Sequence, residues 1–470
     1  MGEPRTPGLE PFRERMQAAA IDERAIQAFE RMLASYLGGE TGKVPWGEVE
    51  PMRPEDLVPF AALDGPDLHQ EGLRQLGRLV VIRVNGGLGT TMKLERAKSL
   101  IRVRGEQSFL DLTVLQVLRL RQQHQVQVPW LAMNSFRTRE DTLEALAGRP
   151  VAIGDLPIDF LQNRVPRIDR AAGQPLEASQ TGGDEEACWA PPGHGDIYLS
   201  LWISGVLEKL IAAGYRWAFV ANVDNLGATF HPGILGYLAR ERLEFASEVT
   251  DKSRADVKGG TIIRRRGRLT LLEGAQVEPD HVRDFEDTRT FGTFNTNNLW
   301  FRLEAVLEKM QRGELELPLI VNPKKVLGRE VVQLEAAMGA AVGCFESTRA
   351  LHVPRSRFAP VKATCDLLAV RSDAYLLDET FAIRPSPARD PALGPPVIRL
   401  DDACYKGIDD FEARFPHPLS LLRCRSLTVL GDLRFGRDVS VEGEVVLQNR
   451  SGEPRAVPDG ARFTDGTFTF

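Results

Sequence analysis

Apolar residues recur at helical spacing from Ile21 through Ala25, Ile26, Phe29, Met32 and Leu33 to Tyr36-Leu37, where Gly38-Gly39 stops the run. Residues 1 to about 75 therefore read as a mainly helical segment, with Met52–Pro59 an irregular connection. At Leu79 the pattern changes. Leu79-Val80-Val81-Ile82-Arg83-Val84 is a short β-branched run of the kind found in buried strands. A helix is predicted through Leu110, Leu112, Val114, Leu115, Val117, Leu118 and Leu120, then a strand over Val128–Met133. Another helix spans Thr138 to Leu146, with Thr138 and Asp141 placed as a capping box. Leu199 to Ala213 is helical up to Gly214, and Trp217–Asp224 is again a strand. Strand and helix in repeated alternation predict an α/β domain on a largely parallel sheet. Three strands end in Asn85, Asn134 and Asn222/Asp224, which points to a ligand site at the carboxyl edge of that sheet.

Beyond residue 385 the grammar changes once more. Pro385, Pro387, Pro391, Pro395 and Pro396 mark an irregular stretch, after which Leu427, Val429, Leu433, Phe435, Val439, Val441, Val445 and Leu447 alternate with other residues between glycines. That is a small all-β module resembling a few coils of a β-helix, without a catalytic cluster. The expected organisation is a helical segment over 1–75, a catalytic domain over 76–384 and a β tail over 385–470.

Composition adds exclusions. In 470 residues, 43% are hydrophobic and 26% charged, a folded balance too long for one core. A net charge of −6 disfavours non-specific nucleic-acid binding, so charge that holds an anion must be local. No apolar run is long enough for a membrane span, and the first residues do not read as a secretory signal. Five scattered cysteines predict reduced thiols in a cytoplasm and no structural zinc.

The chemistry gathers around Asn85-Gly86-Gly87-Leu88-Gly89-Thr90-Thr91. Glycines after a strand permit positive φ and close backbone approach, so N–H groups can face a phosphate or a base edge. Gly89 is followed by Thr90 instead of Lys-Ser or Lys-Thr, so this is not a P-loop. Met92 occupies the place where a dinucleotide fingerprint needs a small residue. The run through Met92, with Lys98-Ser99 downstream, resembles the signature of the UTP–glucose-1-phosphate uridylyltransferases of eukaryotic type. The resemblance recurs at Asn134-Ser135-Phe136, Pro191-Pro192-Gly193-His194-Gly195-Asp196 and Asn222-Val223-Asp224-Asn225-Leu226-Gly227-Ala228-Thr229. It continues at Glu248–Lys252, Ala255–Gly260, Phe294-Asn295-Thr296-Asn297-Asn298-Leu299-Trp300 and Val353–Phe358 with Pro360-Val361-Lys362.

The resemblance implies a fold, a reaction and a set of site residues. The fold would be a Rossmann-like, GT-A-like nucleotidyltransferase domain with a mixed, mainly parallel sheet and a β-helix-like tail. The reaction would join UTP and glucose 1-phosphate into UDP-glucose and pyrophosphate, by Mg²⁺-dependent in-line attack without a covalent intermediate. A sugar phosphate is mostly dianionic at neutral pH, so no general base is needed and charge neutralisation and alignment dominate. Lys362 and Lys98 would be catalytic. Val84, Asn85, Gly86, Gly87, Gln162 and Gly193 would hold the nucleotide with Lys98, Asp224 and Lys362. His194, Asn222, Asn297 and Asn298 would hold the sugar phosphate, and Asp224 would bind Mg²⁺. Asn297 and Asn298 could instead brace their loop, and Lys252 and Lys258 could line the pocket or lie on the surface. Lys362, next to Val361 and ahead of Leu367-Leu368-Ala369-Val370, would be a charge beside a core strand. Where the family has Gly-Cys-Lys-Gly-Pro-Lys, this chain has Lys93-Leu94-Glu95-Arg96-Ala97-Lys98, which keeps the last lysine and loses the glycines and proline. The alternatives are a UDP-sugar pyrophosphorylase of broader sugar specificity and a non-catalytic nucleotide-sugar-binding protein. A homo-oligomer through the β tail, a dimer and a monomer all remain open.

Overall fold

The structure, a computed structural model, describes residues 8–89, 92–253 and 256–470. Thr90, Thr91 and Ala255, which belong to the motifs above, and the first seven residues lie outside that set. At its centre stands an eight-stranded sheet. In chain order its strands are β1 (Leu57–Pro59), β2 (Leu79–Asn85), β3 (Trp130–Asn134), β4 (Asp159–Leu161), β5 (Trp217–Asn222), β6 (Phe245–Asp251), β7 (Thr293–Arg302) and β8 (Thr348–His352). Their spatial order is β1-β8-β6-β7-β5-β2-β3-β4. Only β7 runs against its neighbours; the other pairings are parallel. Near-continuous apolar runs such as Leu79–Ile82 are what a sheet covered on both faces requires. One face packs on Leu201, Leu207, Leu210 and Phe345, the other on Leu110, Val114, Ile234 and Leu238.

Three local expectations change. Met52–Pro59 ends in an edge strand instead of a plain connection, because Leu57–Pro59 pairs with Ala350–His352. Leu199–Ala213 is two helices, Ile197–Ile203 and Val206–Ala212, separated by Gly205 in the left-handed region at φ 70°. Thr138 does not cap the helix Arg139–Leu146 with its side chain; its hydroxyl donates to the Asn85 carbonyl at 2.7 Å.

Beyond the sheet, Val397–Leu400, Ser420–Leu430, Ser440–Gln448 and Arg462–Thr469 pair side by side, all parallel, with Leu433–Phe435 and Arg455–Val457 pairing on another side. Their inward residues, including Leu427, Val445 and Leu447, join one apolar cluster with Met92, Leu226, Val361 and Leu367. The tail's core is thus continuous with the loops at the edge of the central sheet. Among the described residues, no helix is long and apolar enough to cross a membrane.

A buried ion pair fastens those loops. Glu248, on β6, is fully buried and accepts from Asn298 Nδ2 at 3.0 Å, Trp300 Nε1 at 2.9 Å and Arg357 Nε and a terminal nitrogen at 2.8 and 2.6 Å. Removing one member of such a pair leaves a buried charge unpaired and costs about 3–5 kcal/mol, whereas an exposed pair is worth roughly 0–1 kcal/mol. Glu248→Ala should therefore lower the melting temperature far more than Arg268→Ala, which breaks the exposed pair with Glu346. Equal shifts in the two variants would remove this pair from the scaffold.

Candidate functional site

The carboxyl ends of β5, β2, β3 and β4 meet at one edge of the sheet. Asn222 lies beside Val84, Asn85 beside Asn134, and Asn134 beside Leu161. The two buried asparagines turn inward: Asn85 Nδ2 donates to Asn134 Oδ1 and Thr142 Oγ1, each at 2.8 Å, and Asn134 donates to Asp159. With its carbonyl taken by Thr138 and its Oδ1 buried without a partner, Asn85 builds the edge.

Gln162 follows β4, and its backbone N–H donates to the Asn134 carbonyl at 2.7 Å. Its buried amide spans two turns. Nε2 donates to the Gly193 carbonyl at 2.7 Å, and Oε1 lies 2.7 Å from where a Cβ on Gly86 would be. Gly86, Gln162 and Gly193, far apart in sequence, are thereby brought together. Gly86 is needed for this close approach and does not itself adopt positive φ; in this loop that conformation belongs to Gly89, at 66°. A Cβ on Gly87 would meet nothing within 4 Å, so its backbone borders open space. Gly193 is at φ 80°, and a Cβ there would stand 2.4 Å from the Ala336 carbonyl oxygen, so no larger residue fits that turn.

His194 comes next in the chain. Its Nδ1 accepts from the Met338 N–H at 2.9 Å, which leaves Nε2 as the protonated nitrogen of a neutral ring. Burial pulls this imidazole down to about 4. Two residues on, Asp196 accepts from Asn163 N–H at 2.7 Å and from Ser200, and burial raises its carboxyl to about 6.

On the other side of the glycine loop, the Lys98 ammonium is ion-paired with the Asp224 carboxylate, both side chains largely buried. The Lys98 N–H also donates to the Gly87 carbonyl at 3.3 Å. Lys362 lies nearby. Burial raises the Asp366 carboxyl, a tendency opposed by its hydrogen bonds from the Lys362 and Ala363 N–H groups and by the charges of Lys362 and Lys98. Burial likewise raises Glu273, against the pull of Lys362. Lys362 itself departs from expectation. Its side chain is exposed, with the ammonium 5.7 Å from the centre of the Phe294 ring, and Leu367–Val370 belong to a helix, Thr364–Arg371, instead of a strand. Asp366 caps that helix from within its first turn.

Asn297 and Asn298 separate in role. The pairing of β6 with β7 slips between Ser247 and Val249, and the surplus residues of β7 form a bulge with Asn297 at φ 59°. Asn297 is only half-buried, its amide oxygen accepting from Asn295 at 2.9 Å. Asn298 is fully buried, with Nδ2 on Glu248 and Oδ1 accepting from Asn225. Its side chain braces the fold and has no face toward a ligand. Lys252 is also a brace: burial lowers it to about 8, it donates to the Val257 and Phe285 carbonyls and it lies on the Phe285 ring, whereas Lys258 is exposed.

The altered segment after Met92 is tied down from outside. Lys93 sits at φ 53°, in the left-handed region that favours glycine. Arg96 donates to Asp141 at 3.0 Å, and the Ala97 N–H donates to the same carboxylate at 2.8 Å. Leu94 packs against the apolar cluster shared with the tail, and Glu95 is exposed. Asp366 and Glu273 join the site without having stood out in the sequence, while Asn225 and the Glu248–Arg357 pair, which lie within the motifs but were assigned no role, join its frame. Glu248 carries a visible signal, a charge inside Phe245-Ala246-Ser247-Glu248-Val249; Asp366 carries none.

The Asp224 carboxylate, two residues beyond β5, suits a magnesium ion. It is a hard oxygen donor, and its present partner, Lys98, is a cation that phosphate can take over. Comparison with known proteins supplies the family. Residues 26–442 match the family described as UTP–glucose-1-phosphate uridylyltransferase. The barley (Hordeum vulgare) protein of that name is 41% identical over 446 residues, covering 94% of this chain and 92% of its own. That of Dictyostelium discoideum is 37% identical over 443 residues, covering 94% and 86%. A variant of UDP-glucose pyrophosphorylase from Leishmania major, in complex with UDP-glucose, superposes with a TM-score of 0.89 at 36% identity, covering 99% of both chains. The Trypanosoma brucei structure gives 0.89 at 38%, covering 99% of this chain and all of its own. An edge built from the glycine loop, Gln162 and Gly193, with Lys98 facing Asp224, is thus carried by a chain that belongs to the UTP–glucose-1-phosphate uridylyltransferase family.

Proposed function

We propose that this chain joins UTP and glucose 1-phosphate to give UDP-glucose and pyrophosphate, with Mg²⁺ as cofactor. The observation that carries the reading is the convergence of Gly86, Gln162 and Gly193 at one side of the glycine loop and of Lys98 and Asp224 at the other. In this reading the uracil lies against Gln162 and the backbone from Val84 to Gly87, where a flat polar edge fits between two glycine turns. The triphosphate takes Lys98 from Asp224. Asp224, so released, holds Mg²⁺, which neutralises phosphate charge when bound. The sugar phosphate enters from the side of His194, Asn222 and Asn297; Asn298, enclosed by Glu248 and Asn225, positions that bulge. The glucose 1-phosphate oxygen forms the new bond to the α-phosphorus as the bond to pyrophosphate breaks. Because the sugar phosphate is already mostly dianionic, it can attack directly, without an enzyme-bound intermediate. Lys362, exposed and poised over Phe294, supplies positive charge to the phosphates as they react.

The same proposal covers the wider organisation. The stacked parallel strands of the tail form a β-helix-like module over 385–470, appended to a catalytic domain over 76–384 and a helical segment over 1–75 that lends β1 to the sheet. The strand Arg462–Thr469 pairs on one side only among the described residues, and its free edge is the surface for a homo-oligomer through the tail. Cytoplasmic residence accords with five cysteines that are all unpaired.

Pyrophosphate release tests the reading. Turnover is expected with UTP, glucose 1-phosphate and Mg²⁺, to be abolished by EDTA and to be much slower with galactose or N-acetylglucosamine 1-phosphate. Equal rates across the sugars would assign the broader class; no turnover from folded protein would leave a binding protein. Lys362→Ala is expected to lower kcat about a hundredfold or more with an unchanged melting temperature, since the side chain is exposed. Near-normal kcat would take Lys362 out of the mechanism.

His194 gives a pH test. With its folded value near 4, below the unfolded value of about 6.5, the ring stays neutral, so Nε2–H can donate to the sugar phosphate. Below about 6.5 the unfolded chain binds a proton that the folded ring refuses, so the stability this burial permits is complete above about 6.5 and is lost as pH falls toward 4. Its imidazole NMR signals should not titrate between about pH 5.5 and 9; a midpoint near 6.5 would show a charged ring and end the neutral-donor role.

A further inference from the structure

Two histidines and an aspartate converge at a place the proposed reaction does not use. Asp64 lies in the turn before the helix Pro66–Gln75, His69 is in that helix's first turns, and His231 immediately precedes the helix Pro232–Arg240. These helices meet backbone to backbone. A Cβ on Gly72 would stand 1.8 Å from the Pro232 carbonyl oxygen, and one on Gly236 1.9 Å from that of Leu68. Contact this close leaves the two histidines no freedom to drift apart, and their ring centres are 5.3 Å apart, edge to face. One ligand atom from each of the three residues lies within 4.8 Å of the other two.

The donor chemistry is specific. His69 Nε2 is 3.0 Å from Asp64 Oδ1, and His231 Nε2 is 4.0 Å from the same oxygen. Donors on a tetrahedral zinc, at bonds of about 2.0–2.1 Å, lie roughly 3.3 Å from each other, so small side-chain adjustments bring these atoms onto one ion. His69 Nε2, close to the Asp64 oxygen but not aligned with it, is buried without a hydrogen bond, although a buried imidazole nitrogen ordinarily has one. Two imidazoles with one carboxylate favour a zinc-type ion over Mg²⁺, which prefers oxygen alone. We propose that Asp64, His69 and His231 bind one zinc-type divalent ion, with water completing its coordination. This site is chemically distinct from Asp224. Its effect would be structural: His231 lies two residues after Thr229, whose carbonyl accepts from Arg357 at 2.9 Å. The ion would clip the two helices together and anchor the far end of the loop that starts at Asp224.

The test is Co²⁺ titration of the full chain after chelator treatment, followed by displacement with Zn²⁺. One Co²⁺ per chain is expected, with the visible absorption of a tetrahedral site, and Zn²⁺ should remove it. Asp64→Asn and His69→Gln, both at partly exposed positions, should each weaken binding at least tenfold, since even groups that only orient metal ligands cost 10–100-fold when lost. Asp224→Asn should leave the Co²⁺ signal unchanged, and Asp64→Asn should leave the Mg²⁺ concentration dependence of turnover unchanged. A folded wild-type chain without the absorption, or with the same affinity as folded Asp64→Asn, would overturn the proposal and leave an ordinary Asp–His contact. Loss of the signal in Asp224→Asn alone would overturn it as well, by placing the ion at the reaction site.

Discussion

The edge of this sheet works only because a carboxylate without any solvent exposure holds three segments in register. Glu248 receives Asn298 and Trp300 from β7 and both arms of Arg357 from the loop after β8. A buried carboxylate needs this many donors, because its desolvation is repaid only by full hydrogen bonding. The geometry then spreads outward. Asn298 accepts from Asn225, the residue after Asp224, and Asn225 Oδ1 accepts from Ala359 N–H at 3.0 Å, three residues before Lys362. Arg83, itself buried and lowered to about 9 by that burial, donates to the Ala228 carbonyl at 2.7 Å and closes the same loop from β2. One charge in the core thus sets the positions of Asp224 and Lys362, the carboxylate and the lysine that the proposed reaction would use.

The second constraint is electrostatic. A chain with net charge −6 has to gather a triphosphate and a sugar phosphate. In the proposed site Lys98 and Lys362 supply the positive charge, and Lys98 is paired with Asp224. In the proposed reaction, phosphate for Lys98 and a metal for Asp224 are gained together, so neither group is left as a bare charge in a largely buried place. Splitting the pair for only one of the two ligands would be costly, which makes the nucleotide and the ion natural co-ligands. Lys362 is different. Exposed over Phe294, it can meet incoming phosphate without first losing an ion pair among the described residues.

Much of this was legible in the sequence because it rests on local pattern. Buried parallel strands announce themselves as short apolar runs, so Leu79–Asn85, Trp130–Asn134 and Trp217–Asn222 stand within two residues of where the pattern puts them. Strand ends give away the edge, and the glycine loop its backbone. What was not legible depends on partners remote in sequence. The apolar run Leu367–Val370 fits a strand or a helix equally well by periodicity, and the decision came from Asp366 capping Ala363. Leu57–Pro59 is too short to carry a pattern and exists as a strand because β8 offers it an edge. Asn297 and Asn298 are neighbours of one type, and only the bulge of β7 sends one outward and the other to Glu248.

The substituted segment after Met92 shows how such a loop keeps its shape after losing its glycines. Lys93 occupies the left-handed region, where a side chain costs roughly 1 kcal/mol over glycine. Against this stand the two hydrogen bonds from Arg96 and the Ala97 N–H to Asp141 and the burial of part of Leu94 in the tail's apolar cluster. A hydrogen bond to a charged group contributes about 1.5–3 kcal/mol, less where it is exposed as Arg96 is, so these contacts outweigh the strain. The loop is therefore held by its neighbours where glycine and proline would have shaped it from within. The proposed reaction depends on the exit of Lys98, which is fixed here by its N–H on the Gly87 carbonyl and its ammonium on Asp224.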